Sequence, residues 1–468
     1  MTTPSTTATT TARTTQGSRA NQRRVAAATL VGTTIEWYDF FIYATIAGLV
    51  FRDLFFAPAG AGFAQVVTFA SVGISFLFRP LGAFLAGHYG DKLGRRVILV
   101  VTLVMMGGAT TLIGVLPTHQ SIGLAAPLLL LVLRVLQGIS AGGEWGGAVL
   151  MAVEHAEPRR RGLAGAFPQL GVPLGMLLAT GVTALMTGIV SPGEAFVEWG
   201  WRVPFLGSIV LIVLGYLVRI AVDESPIFQE IAEAKERESV PVVELFRRYW
   251  ALVVLAALVF VGNNAVGYMS TGGFIPAYAT GEGVGMEPTA VLVAMTFGAA
   301  VWFCSTLGAG ILSDRIGRKP TYQIGYAWLA LTVFPLFWLI DTGEIGMLYL
   351  ALFLVCIGTG LTYGPQAALY SELFPASVRF SGVSISYAIG AILGGAFAPM
   401  IAQALLERTG GSTAISAYLL VTVVLAFAAV SLVRDRRGID LSIRNQAEQE
   451  TGATVFGPAR PRHERVSA

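Results

Sequence analysis

Charge is the scarcest ingredient of this chain. Asp, Glu, Lys and Arg together make up 13% of its 468 residues, about half the share found in soluble domains. A water-facing surface cannot be built from so little charge, which excludes a soluble enzyme, a disordered chain and a nucleic-acid binder. Lysine is rarer still. Lys92, Lys235 and Lys319 are the only three, and none stands in the G-K-[ST] context of a phosphate-binding loop, which excludes an ATP-driven pump. Cysteine is limited to Cys304 and Cys356, in separate apolar stretches, so no disulfide is expected. The histidines His88, His119, His155 and His463 lack metal-ligand spacing. No metal, no cofactor and no enzymatic activity are expected.

Long hydrophobic runs fill the space that charge leaves. Apolar residues account for 54% of the chain, and mean hydropathy is +0.68. A membrane helix takes about 20 residues. Apolar runs of that order fall at 25–50, 65–88, 97–117, 125–153, 163–188, 201–221, 251–279, 290–312, 322–340, 346–368, 381–405 and 414–433. The expected fold is all-α, with twelve transmembrane helices and the lipid bilayer as the main partner. The threonine-rich head, residues 1–24, has no apolar core before a cleavage site and reads as a tail rather than a signal peptide. With the N-terminus cytoplasmic, 26 of the 31 Lys and Arg residues lie inside, and only Arg52, Arg202 and Arg408 lie in outer loops. That asymmetry predicts that both termini are cytoplasmic. The longest polar stretch, 222–250, separates six-helix bundles at 25–221 and 251–433, and a tail follows at 434–468.

The two halves repeat one another. Gly87-His-Tyr-Gly-Asp91-Lys92-Leu-Gly94-Arg95-Arg96 follows the second run. Gly310-Ile-Leu-Ser-Asp314-Arg315-Ile-Gly317-Arg318-Lys319 follows the eighth, 223 residues later. Glu154 and Arg161, after the fourth run, are echoed by Glu372 and Arg379 after the tenth, both displaced by 218 residues. Matching elements at matching places predict a duplicated six-helix unit with parallel repeats. Gly87 and Gly310 allow two helices to approach closely. Asp91 and Asp314 can pair with Arg95, Arg96, Arg318 and Lys319, while Glu154, Arg161, Glu372 and Arg379 supply a second set of pairs. Such loops read as latches that hold one face closed and release it in turn.

Ionisable groups inside apolar runs are costly and mark functional cavities. Glu36 and Asp39 are three residues apart and share a helical face near mid-bilayer. Arg134 lies at similar depth in the fourth run, so the acids and the arginine are expected to compensate one another across a cavity. Arg79, nearer a helix end, can meet a ligand or snorkel. Polar and aromatic residues complete the candidate binding set: Trp37, Tyr43, Gln137, Glu144 and Gln169 in the first half, and Asn263, Asn264, Tyr268, Tyr363 and Gln366 in the second. Gly262, Gly267, Gly272, Gly273 and Pro276 predict a broken, cavity-facing seventh helix.

The paired loops resemble those of the major facilitator superfamily. Several strings resemble its metabolite:proton symporter branch: Glu36-Trp37-Tyr38-Asp39-Phe40, Phe78-Arg79-Pro80-Leu81-Gly82, and Arg134-x-x-Gln137-Gly138 with Gly142-Gly143-Glu144-x-Gly146-Gly147. So do Glu224-Ser225-Pro226-x-Phe228 and Ser371-Glu372-x-Phe374-Pro375-x-x-x-Arg379-x-Ser381-Gly382. The resemblance covers about residues 25–433. It implies two pseudo-symmetric six-helix bundles in a bacterial cytoplasmic membrane. The branch contains carriers of shikimate, 2-oxoglutarate, citrate, proline and glycine betaine.

The resemblance also implies that Asp39 and Arg134, with Glu36 beside them, serve proton coupling and substrate binding. Ala166-Phe167-Pro168-Gln169-Leu170-Gly171 is closer to the shikimate-like members than to the osmolyte carriers. The tail lacks the apolar heptads of the osmosensing members. The expected function is therefore secondary active symport of a small organic metabolite, a carboxylate, with protons, by alternating access and as a monomer. The alternative is a uniporter or a zwitterion carrier of the same fold. A non-transporting receptor is disfavoured, because neither tail is long enough for an output domain.

Overall fold

The computed structural model describes residues 27–453, apart from 28, 61–62, 94, 143, 155, 221–240 and 272. Among the described residues all regular structure is helical, in twelve long helices. The first half comprises α1 (29–54), α2 (Ala64–Leu93), α3 (Arg95–Val115), α4 (Ala125–Glu154), α5 (Pro158–Val190) and α6 (Arg202–Ile220). The second comprises α7 (Pro241–Thr271, continued as Phe274–Thr280), α8 (Pro288–Ile316), α9 (Arg318–Ile340), α10 (Ile345–Leu373), α11 (Arg379–Thr409) and α12 (Thr413–Leu432). Each apolar run becomes one of these helices, and ten of the twelve are long and apolar enough to cross a membrane.

Polarity is inverted relative to a soluble protein. Ile189 and Leu331 are 75% and 74% exposed, whereas Glu36, Asp39, Arg79 and Arg134 are buried. Lipid is the solvent that suits such a surface, and a protein-lined interior is where charge can persist at membrane depth.

Glycines set the tightest seams. Gly138 and Gly142, one turn apart on α4, rest on the main chain of α2: a Cβ at either would overlap the carbonyl oxygen of Ser75 or Arg79. This small-residue contact brings the α2 carbonyls within reach of Arg134. The expected break in α7 is present. Gly273 adopts φ +83°, a left-handed conformation that favours glycine, and starts the continuation of the helix.

Two segments differ from the sequence expectation. The stretch read as loop to residue 250 is helical from Pro241, with a kink at Tyr249 (φ −124°, ψ 16°). Its polar first turns are supported by Glu244 and Arg248, 3.7 Å apart at i, i+4. The tail is structured from Arg434 to Ala453 and includes a short helix, α13 (Gln446–Gly452).

Candidate functional site

Arg134 on α4 is 1% exposed and directs its donors onto α2 and its own helix. Its Nε donates to the Ser71 carbonyl at 3.2 Å, and its Nη2 donates to the Val72 carbonyl and to Ser75 Oγ at 2.9 Å each. Its Nη1 donates to Gln137 Oε1 at 2.6 Å. The Tyr43 ring lies 3.9 Å from the guanidinium, and its hydroxyl is bonded to Ser71 Oγ at 2.6 Å. Tyr43 thus packs under Arg134 rather than lining a cavity.

The acids do not meet Arg134 as expected. Glu36 faces Arg79 of α2, with Oε1 3.7 Å from Nη2. Asp39 accepts from Ser208 Oγ of α6 at 2.8 Å. Positions three apart diverge by about 60° around a helix. That divergence is enough to turn Glu36 toward α2 while Asp39 turns toward α6. Arg134 balances its charge against carbonyl dipoles instead, and Gln137 extends its network to Thr110 Oγ1 through an Nε2 donor at 2.7 Å.

Between the halves lies a cavity of about 20 Å³ whose lining includes Trp37, Phe260, Asn264, Tyr268, Trp302, Tyr363 and Tyr387. Asn263 also reaches it, with its amide tied to the Thr359 carbonyl and Thr362 Oγ1 at 2.9 and 2.6 Å. Arg79 flanks the same region, 4.4 Å from the Phe76 ring centroid and 5.3 Å from that of Trp37. Arg79 Nε, Asn264 Nδ2, Trp302 Nε1, Gln366 Nε2 and the Tyr268 hydroxyl are buried without a hydrogen-bond partner. Buried donors of this kind are costly when unpaired. A ligand rich in oxygen acceptors would satisfy them.

Gln169 of α5 donates to Gln366 Oε1 of α10 at 3.0 Å and accepts from Trp145 Nε1 at 2.8 Å, tying the halves together. Trp145 in turn stacks on Tyr387 at 3.7 Å. The side chain of Glu144 lies outside the described residues.

The face that carries the repeated loops, here the motif face, is closed by ion pairs across the halves. The Asp314 carboxylate accepts from the main-chain N–H groups of Gly162 and Leu163 on α5 at 2.8 and 2.9 Å. It also accepts from Arg318 Nη1 at 2.7 Å. Gly310 permits the approach, since a Cβ there would lie 2.8 Å from Ala166 Cβ and 2.9 Å from the Gly162 carbonyl oxygen. Gly317 turns the chain at φ +109°. Lys319 Nζ donates to the Ser431 carbonyl of α12 at 2.5 Å.

The duplicated Glu and Arg exchange partners between the halves. Glu154 pairs with Arg379 at 3.0 Å, Arg161 with Glu372 at 3.8 Å, and Arg318 with Glu372 at 3.2 Å. The corresponding first-half motif, Gly87, Asp91, Gly94, Arg95 and Arg96, has its side chains outside the described residues.

Residues 434–453 are braced against this face. Arg161 Nη1 donates to the Ile439 carbonyl at 2.5 Å, and Arg379 donates to the Leu441 carbonyl at 3.0 Å and to Gln449 Oε1 at 2.9 Å. Arg437 reaches back to the Arg315 carbonyl at 2.7 Å. The Ser442 N–H and hydroxyl hold the Asp440 carboxyl below its usual range. The sequence signal for this strap was weak: Arg434, Arg436 and Arg437 read only as charges that set topology.

The opposite face is closed by main chain. Gly48 of α1 packs against Gly273 of α7, and a Cβ on Gly48 would overlap the Gly273 carbonyl oxygen. Thr180 and Thr187 of α5 bond Thr296 and Thr289 of α8 at 2.9 and 3.2 Å. Among the described residues contacts between the halves close both faces, an occluded arrangement.

Residues 29–399 match the family model described as Major Facilitator Superfamily. The chain is 38% identical over 421 residues to the inner membrane metabolite transport protein YhjE of Escherichia coli (strain K12), covering 89% of this chain and 95% of that protein. It is 34% identical over 418 residues to the shikimate transporter of the same strain, covering 88% and 94%. Its fold matches the solved structure of the proton:xylose symporter XylE bound to 6-bromo-6-deoxy-D-glucose with a TM-score of 0.71. That match covers 91% of this chain and 98% of the other at 19% identity.

Proposed function

Because the chain belongs to the major facilitator superfamily and is a multi-pass membrane metabolite transporter, we propose that it carries a small carboxylate together with protons. The observation that carries this reading is the set of unpartnered donors around the central cavity, led by Arg79 Nε. A carboxylate offers the acceptors these donors lack, and a guanidinium fork matches its geometry. The relative named as a shikimate transporter is consistent with such a ligand.

In this reading the motif face is cytoplasmic, as the placement of Lys and Arg suggests. Substrate enters from the opposite face and is enclosed, and it leaves when the Asp314 and Glu–Arg contacts release. Asp39, buried and faced by the Ser208 hydroxyl, is the proton carrier, with Glu36 beside it. The proton gradient is the only energy source required.

The aromatic lining supports a second reading. Trp37, Tyr268, Trp302 and Tyr363 could receive a quaternary ammonium group by cation–π contact, which would make the substrate a betaine-like zwitterion. Uptake into proteoliposomes separates the two, using shikimate, 2-oxoglutarate and glycine betaine with and without an imposed pH gradient. Gradient-stimulated uptake of a carboxylate is expected. Transport of glycine betaine alone would overturn the carboxylate assignment, and uptake indifferent to the gradient would overturn coupling.

A further inference from the structure

We propose that Arg434, Arg436 and Arg437 form a binding site for a phosphate group, supplied by the headgroup of an anionic phospholipid. All three residues line one open cavity of about 580 Å³ on the motif face, together with Ile439, Glu448 and Thr451. That volume falls in the range of small-molecule sites, about 300–1,000 Å³. The site is independent of the transported substrate and of the proton carrier.

Charge at this cavity is out of balance. Among the described residues no ion pair engages Arg434, Arg436 or Arg437, and no hydrogen bond engages the Arg434 side chain. Arg436 donates instead to the main-chain carbonyls of Leu373 and Glu448 at 3.4 and 3.0 Å. Arg437 donates to those of Asp314 and Arg315 at 3.4 and 2.7 Å. A carbonyl dipole satisfies a donor but leaves the positive charge uncompensated.

The nearby carboxylates have other partners. Asp435 accepts from the main-chain N–H groups of Arg437 and Lys319 at 3.2 and 3.3 Å. Glu448, the acid on the cavity wall, accepts from Asn445 Nδ2 at 2.8 Å. Burial holds the Arg436 guanidinium below its usual range; Glu448 opposes this, and the Arg379 and Arg434 charges add to it. A phosphate supplies what is missing. Its oxygens accept from several guanidinium groups at once, and its charge offsets the repulsion among them.

Position in the fold selects the source. α12 ends at Leu432, whose side chain is 64% exposed on the lipid-facing surface, and the exposed Arg434 stands two residues beyond. The cavity therefore lies where the chain leaves the hydrocarbon, and basic residues at that level attract anionic lipid. A headgroup held there sits between the end of α12 and α13, which supplies Glu448 and Thr451.

The test uses the full-length protein in nanodiscs of phosphatidylcholine and phosphatidylglycerol, with native mass spectrometry counting the lipid that stays bound. Arg434→Gln removes a guanidinium without a hydrogen-bond partner, so the variant is expected to keep the wild-type thermal midpoint. Its retention of phosphatidylglycerol should fall about fivefold, the effect of one basic residue at an anionic membrane surface. Arg434→Lys should keep most of the binding, because an ammonium still pairs with phosphate. Arg159→Gln, at an exposed arginine elsewhere on the motif face, should change nothing. No loss in Arg434→Gln, or an equal loss in Arg159→Gln, overturns the site. Displacement of phosphatidylglycerol by millimolar inorganic phosphate overturns the lipid as source and assigns the site to a dissolved anion.

Discussion

Asp314 from the second half accepts the N–H of Gly162 at the first turn of α5, so one carboxylate joins the two bundles through a helix terminus. Unpaired N–H groups and the positive end of the helix dipole favour an anion there. Asp314→Ala removes the contact to Gly162 and the one to Leu163 together. A hydrogen bond to a charged group contributes about 1.5–3 kcal/mol, and about 1.4 kcal/mol corresponds to a tenfold population ratio. The variant is expected to shift at least about tenfold toward a state open at the motif face. Turnover should fall several-fold while substrate affinity stays within a few-fold. Pulsed EPR distances between labels at the exposed positions Arg160 and Arg315 report the opening. An unchanged distance distribution would contradict the latch.

The two membrane arginines should respond differently to lysine. Arg134 holds four acceptors in a fixed fork, which an ammonium on a flexible stem cannot reproduce. Arg134→Lys is therefore expected to lower stability by at least about 1.5–3 kcal/mol, the contribution of one hydrogen bond to a charged group. Arg79 has an unpartnered Nε beside the cavity. Arg79→Lys should leave the thermal midpoint near wild type and weaken binding of the transported carboxylate by about tenfold or more. Thermal unfolding and equilibrium binding on the same preparations distinguish the two. Equal behaviour of the variants would refute the division.

Closure of the opposite face depends on Gly48 having no side chain. Gly48→Val places atoms where the Gly273 carbonyl lies, and α1 and α7 cannot then meet. Uphill uptake should fall to background while substrate still binds from that side. Distances between labels at Arg52 and Glu282, both exposed, should lengthen. Normal concentrative uptake in Gly48→Val would show that this contact is not required for closure.

Deleting residues 434–468 removes the acceptors that Arg161 and Arg379 find at Ile439, Leu441 and Gln449. The expected result is a longer Arg160–Arg315 distance in the absence of substrate, with the opposite face unaffected. A truncated chain whose motif face stays closed would show that the strap follows the closure rather than supporting it.

The helices and the α7 break were legible because their causes are local. A bilayer sets span length, apolar runs report it, and a glycine pair such as Gly272-Gly273 interrupts it. The residues of the repeated loops stood out in the sequence because duplication repeats them. Their partners did not. Glu154 and Arg161 are seven residues apart, yet they pair with Arg379 and Glu372 because the pseudo-symmetry of the bundles crosses the repeats over. Arg134 was visible as a buried charge, but its acceptors include main-chain carbonyls on α2, which every residue possesses. Ser208 carried no mark that separates the partner of a buried acid from ordinary helix glue, and Phe260, Trp302 and Tyr387 none that separates a cavity wall from core.

Part of the strap's hold on the rest of the protein runs through main-chain oxygens, those of Ile439 and Leu441 on its own side and of Leu373, Asp314 and Arg315 on the other. A lock of that kind is indifferent to the identity of the residues that supply its acceptors. Replacing Ile439 or Leu441 leaves their carbonyls in place, so this stretch can drift in sequence without losing its hold. A one-residue insertion between Val433 and Ile439 would instead displace several acceptors together. At Ile439 and Leu441, length rather than lettering is what selection can act on.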